Sequence, residues 1–97
     1  MEIIIADKAQ AWFAEEMGVS SQRGVRFLSK VYGCSPIHEG FSLAIEVDEP
    51  TTPYVLIHEK GIPYFIEKGD EWFFDGYDLY VDFDEQLEEP SYRYEKQ

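Results

Sequence analysis

The chain has 97 residues and a formal net charge of −12, with twenty Asp and Glu against eight Lys and Arg. That length fits one domain spanning 1–97. So acidic a balance argues against nucleic acid and anionic membranes as partners, because both are bound through Lys and Arg. Hydrophobic residues at 44% and aromatics at 16% supply enough apolar area for a packed fold.

A single cysteine, Cys34, excludes an internal disulfide and any self-contained site that needs two or more thiolates. It also points to a reducing compartment. Residues 1–7 have no basic segment and only a short apolar run, so they do not read as a signal peptide. No apolar stretch approaches the length of about 18 residues that spans a membrane. The expected location is cytoplasmic.

The β-branched run Ile3, Ile4 and Ile5 predicts a short strand. Asp7 stands where a helix N-cap belongs, and Gln10 three residues later completes a capping-box-like pair. Ala9, Trp12, Phe13 and Met17 share one helical face, and Gly18 suits a left-handed stop. From Gly24 the period becomes two. Val25 and Phe27 alternate with Arg26, Leu28 and Lys30, which predicts a strand to about Tyr32. Gly33, Cys34, Ser35 and Pro36 read as a loop. Phe41, Leu43, Ile45 and Val47 alternate with polar or small residues as a half-buried strand that Pro50 and Pro53 end.

Residues 54–59 and 62–67 read as a hairpin turning at Lys60-Gly61, with Pro63 assigning the start of the second strand to an edge or a bulge. Residues 70–74 suit either a helical turn or a strand. Asp75-Gly76 predicts a tight turn. Tyr77, Leu79, Val81 and Phe83 then alternate with Asp78, Tyr80, Asp82 and Asp84. After an interruption at 88–90, residues 91–94 predict a last short strand. Five to seven short strands with one helix define a mainly β domain of packed sheets.

Cys34 is the first candidate for chemistry. A thiol on a loop at a strand end suits a ligand or nucleophile, and a buried cysteine is equally at home as a small hydrophobe. With His38, four residues on, Cys34 makes one S and one N ligand, or His38 is a base for the thiol. The plain alternative is an exposed loop histidine. His58 reads as a polar strand residue. Asp78, Asp82 and Asp84 share a strand with the spacing to gather a hard cation, but no calcium-loop pattern surrounds them, and a solvated face is the simpler reading. The aromatic run Trp72-Phe73-Phe74 with Tyr77 is either an exposed binding surface or, as the small size favours, core.

The order of these features resembles the HesB/IscA-like iron–sulfur cluster biosynthesis family. The strand ending in Gly33-Cys34-Ser35 carries it. So do Gly40-Phe41-Ser42-Leu43, Phe74-Asp75-Gly76 and the run from Leu79 to Asp84. The resemblance looks closest to its short, acidic, YneR-like branch. It implies a compact β-sandwich or pseudobarrel of mixed sheets with one N-terminal α-helix.

Carriers of that family accept iron or a cluster and pass it to client proteins. They use three cysteines, one after the glycine of the first loop and two in a C-terminal Cys-Gly-Cys. Cys34 matches the first, and the other two have no counterpart. Clusters normally take four thiolates. A monomer offers one, and a dimer with His38 would offer two S and two N ligands.

The resulting expectation is a non-catalytic accessory or carrier-like protein of iron–sulfur biosynthesis. It would work with protein partners of that assembly, and would hold iron or an Fe–S cluster at a dimer or client interface rather than as a monomer. Cys34 and His38 are its candidate ligands. The alternatives are a small thiol-dependent redox or enzymatic protein using Cys34 with His38, and a protein-interaction module that has lost metal binding.

Overall fold

The computed structural model describes residues Met1–Gln97, the side chain of Cys34 excepted. Seven strands form two mixed sheets, as the mainly β expectation requires. In the smaller sheet β6 (Tyr77–Asp84) is central. It pairs in parallel with β1 (Ile3–Ile5) and antiparallel with β7 (Glu89–Lys96). The larger sheet has the order β3-β2-β5-β4, from β2 (Gly24–Cys34), β3 (Glu39–Asp48), β4 (Pro53–Glu59) and β5 (Ile62–Glu67). The inner faces meet where Phe27 of β2 packs edge-on against Tyr92 of β7, ring centroids 6.3 Å apart.

Helix α1 (Asp7–Glu16) closes one side of this core. Its Phe13 is fully buried and stacks edge-on with Phe27 and Tyr64 at 6.2 and 5.8 Å, which joins helix, β2 and β5 in one aromatic cluster. The expected capping box does not form. Ala6 is the N-cap and makes no side-chain cap, Asp7 is already helical, and buried Gln10 donates Nε2 to the Ile5 carbonyl at 2.9 Å. The glutamine therefore ties the helix back to β1, and Asp7 acts through its charge in the first turn. Gly18, at φ +63°, supplies the left-handed stop.

Two readings of the larger sheet need correction. Strand β5 is interior, although Pro63 marked its start as an edge or bulge. The proline is tolerated because the parallel ladder with β2 begins one residue later, at Val25 opposite Tyr64. The register irregularity of β4 with β5 falls at Pro53/Val55 instead. The hairpin turn at Lys60 (φ +52°) and Gly61 (φ +80°) is as expected for consecutive left-handed residues.

The second correction concerns 33–36, expected to be loop throughout. Strand β2 runs on to Cys34 across a bulge, where Tyr32 and Gly33 oppose the single residue Gly40 between the pairs Val31/Phe41 and Cys34/Glu39. The ambiguous 70–74 stretch is helical: a 3-10 turn at Lys68–Asp70 leads into α2 (Glu71–Phe74). Strand β7 outruns the 91–94 expected at both ends, since pairing with β6 carries Glu89 to Lys96.

Candidate functional site

The bulge shapes the region that carries Cys34. Tyr32 (φ +77°) and Gly33 (φ +107°) are both left-handed, a conformation natural for glycine and unfavourable for tyrosine. A Cβ on Gly33 would lie 2.9 Å from Ser42 Oγ, and that hydroxyl donates to the Tyr32 carbonyl at 3.2 Å. Glycine is thus set by both torsion and space. The chain leaves the bulge at Cys34, paired with Glu39, and turns through 35–38. The Ser35 hydroxyl accepts the His38 amide at 3.0 Å and donates to the His38 carbonyl at 3.1 Å, which closes the turn. Whether the Cys34 thiol points outward, or toward His38, lies outside the described residues.

His38 is half-buried rather than the exposed loop residue its surroundings suggested. Its ring centroid sits 5.3 Å from Trp72 and 5.2 Å from Phe73. Trp72 in turn packs edge-on to Phe41 at 5.0 Å. The aromatic run therefore divides. Phe73 and Phe74 are fully buried, whereas Trp72 keeps 47% of its surface exposed beside the hairpin. Val31 and Tyr32, at 61% and 83%, extend the exposed apolar surface along the end of β2. On the other side of the turn, Pro36 and Ile37 line a cleft with Tyr77, Tyr92, Arg93 and Tyr94. The candidate loop thus lies against the start of β6 and the end of β7.

The acidic strand does not gather its carboxylates on one cation. Asp78 accepts the Glu2 amide at 2.8 Å and Gln97 Nε2 at 3.0 Å, and these bonds hold its pKa below the usual value. Asp82 takes Arg93 Nε at 3.2 Å, and Asp84 accepts the amides of Gln86 and Leu87. His58 is exposed on β4, consistent with a polar strand residue.

Buried carboxylates elsewhere are structural. Asp70 accepts Arg26 Nη2 at 3.1 Å, the Ser29 amide at 3.2 Å and the Ser29 hydroxyl at 2.8 Å. Glu67 accepts the amides of Thr51 and Thr52 at 2.7 and 2.6 Å. Burial opposes the Arg26 charge, but the hydrogen bond and attraction of Asp70 outweigh it and raise its pKa. Partners more than a dozen residues apart leave no spacing signal, which is why sequence reasoning passed over both groups.

Among the described residues no three or more His, Cys, Asp or Glu side chains come together to hold a metal ion. The chain contributes one thiol, and His38 is packed against aromatic rings. That donor set does not fit an iron–sulfur cluster within one chain.

The fold is the HesB/IscA-like one. The crystal structure of Escherichia coli SufA, a protein involved in biosynthesis of iron–sulfur clusters, has this architecture. It matches with a TM-score of 0.60 over 99% of this chain and 86% of its own, at 16% identity. No protein-family model matches the chain.

The sequence match that runs end to end is of another kind. The pyruvate dehydrogenase inhibitor of Bacillus subtilis (strain 168) is 38% identical over 95 residues, covering 98% of this chain and 100% of that protein. The chain belongs to that protein's family. An uncharacterized protein of Staphylococcus saprophyticus is 28% identical over 95 residues, covering 95% of this chain and 97% of its own. No helix is long and apolar enough to cross a membrane.

Proposed function

We propose that the protein is a non-catalytic, protein-binding regulator that inhibits pyruvate dehydrogenase by direct contact, on a fold shared with a protein involved in biosynthesis of iron–sulfur clusters. The end-to-end match to the Bacillus subtilis pyruvate dehydrogenase inhibitor carries this reading. The donor set supports it, since one thiol and a packed histidine leave little for cluster transfer or thiol catalysis. In this reading the chain is a member of the short, YneR-like branch, with Cys34 as its one thiol. It acts through its surface: apolar side chains exposed around the β2–β3 hairpin, and a net charge of −12 that steers it toward basic partners. The test is to titrate purified Bacillus subtilis pyruvate dehydrogenase with the wild-type chain. Saturable loss of turnover is expected. Unchanged turnover at a large excess of the chain would sink the proposal.

A second reading keeps the iron–sulfur connection, with Cys34 meeting a second thiol from a copy or a client. The position of Gly33-Cys34 at the end of β2, on a SufA-like fold, favours it. Anaerobic reconstitution with iron and sulfide on wild type and Cys34→Ala decides it. The reading requires a chromophore that depends on Cys34, and equal spectra for the two proteins would remove it.

A further inference from the structure

We infer that the bulged end of the β2–β3 hairpin, together with Trp72, is the surface that docks the partner protein, and that it fits an apolar patch ringed by Lys and Arg. This rests on the reading of the protein as a protein-binding inhibitor, and locates the contact.

The exposed apolar surface here is contiguous. Val31 stands opposite Phe41 in the ladder, Phe41 packs at 5.0 Å on Trp72, and Tyr32 follows Val31 directly. Val31, Tyr32 and Trp72 are 61%, 83% and 47% exposed, and exposed apolar side chains gathered in one region mark interaction sites.

Tyr32 adds a separate observation. It is not glycine, yet its φ is +77°, so the backbone is strained at the residue with the most exposed large apolar side chain. Strain that holds an aromatic ring in water gains nothing for the isolated fold, and residues of this kind collect at binding sites. Tyrosine is also among the side chains enriched at interface centres.

Charge selects the occupant. The rim carries Glu39 on the hairpin and Glu71 and Asp75 flanking Trp72, all exposed. Lys30 alternates to the opposite face of β2 from Val31. A second copy would bring the same carboxylates, and another −12, against this rim. A partner surface with basic residues around an apolar centre would neutralise it.

The experiment measures binding of purified Bacillus subtilis pyruvate dehydrogenase to the immobilised full chain. The proteins compared are wild type, Tyr32→Gly, Tyr32→Gly/Trp72→Ser and Leu87→Ser. Leu87, 65% exposed, lies after the last residue of β6 and outside the β2–β3 hairpin, so it controls for loss of any exposed apolar group. Tyr32→Gly relieves the positive φ, so its melting temperature is expected to equal or exceed that of wild type while its affinity falls at least tenfold. The double variant is expected to lose detectable binding, and Leu87→Ser to stay within twofold.

Wild-type affinity retained by Tyr32→Gly and by the double variant would overturn the inference and leave the inhibitor reading intact. A wild-type dimer in sedimentation that Tyr32→Gly converts to monomer would overturn it in favour of a second copy. Failure of the wild type itself to bind would instead refute the inhibitor reading, and the inference with it.

Discussion

Asp70 shows how much of this fold hangs on single polar groups. It is 8% exposed, and three donors from β2 converge on it. Asp70→Ala removes the strongest partner of Arg26, which then keeps only Glu46 and Asp48 at 3.3 and 3.4 Å. The expected loss is about 2–4 kcal/mol, read as a lowered midpoint in urea unfolding. Tyr92 and Tyr94 report on burial in another way. Desolvation pushes both phenols up to about 12, with Tyr94 and Glu89 adding to the effect at Tyr92. An unfolded tyrosine titrates near pH 10, so the folded state keeps its protons longer. Their stabilisation is therefore complete below about pH 10 and lost as the pH rises through about 12. Urea midpoints are expected to fall across that window, and Tyr92→Phe to flatten the fall. At this scale the sequence was legible where a signal is local: Gly18 as a helix stop, Lys60-Gly61 as a turn. Asp70 and Glu67 were not, because their partners come from distant elements. The capping role given to Asp7 failed because Gln10 found the Ile5 carbonyl instead.

Elements were legible wherever alternation was clean. β3 and β6 follow directly from period-two patterns, β1 from its β-branched run, and α1 from its apolar face. Where pairing decides, local pattern falls short. The bulge at Tyr32-Gly33 carries β2 past its expected end, and pairing with β6 lengthens β7. Pro63 is the sharper lesson. A proline argues for an edge only if a neighbour needs its N–H, and the β2 ladder starts just beyond it. Gly24 makes this arrangement work. A Cβ there would lie 1.8 Å from the Pro63 carbonyl oxygen, a backbone atom that has no side-chain rotamer to escape into. Gly24→Ala is expected to separate the starts of β2 and β5 and cost at least about 3 kcal/mol, measured as a drop in thermal midpoint. A stability within error of wild type would mean that the two strands do not approach this closely.

For the molecule as a whole, the sequence resemblance and the fold agree on a HesB/IscA-like architecture, and the two mixed sheets with α1 packed on them bear out the expected class. Function was less legible. The Gly33-Cys34 pair pointed toward clusters. The end-to-end relative is named as a pyruvate dehydrogenase inhibitor, a role that no spacing of ligands or catalytic groups would signal. Recognition of that kind lives in surface shape and charge, which a one-dimensional pattern does not display. Net charge does predict one property: attraction to a basic partner weakens with ionic strength, so half-inhibition of pyruvate dehydrogenase is expected to need more protein at about 0.5 M salt than at about 0.05 M. The central claim is that the protein surface, rather than a thiol-bound metal, carries the activity. It is tested most directly by comparing inhibition of Bacillus subtilis pyruvate dehydrogenase by wild type and Cys34→Ala, each freed of metal with a chelator. The account predicts equal inhibition by the two proteins, and an inhibition that disappears with the chelator or with Cys34 would contradict it.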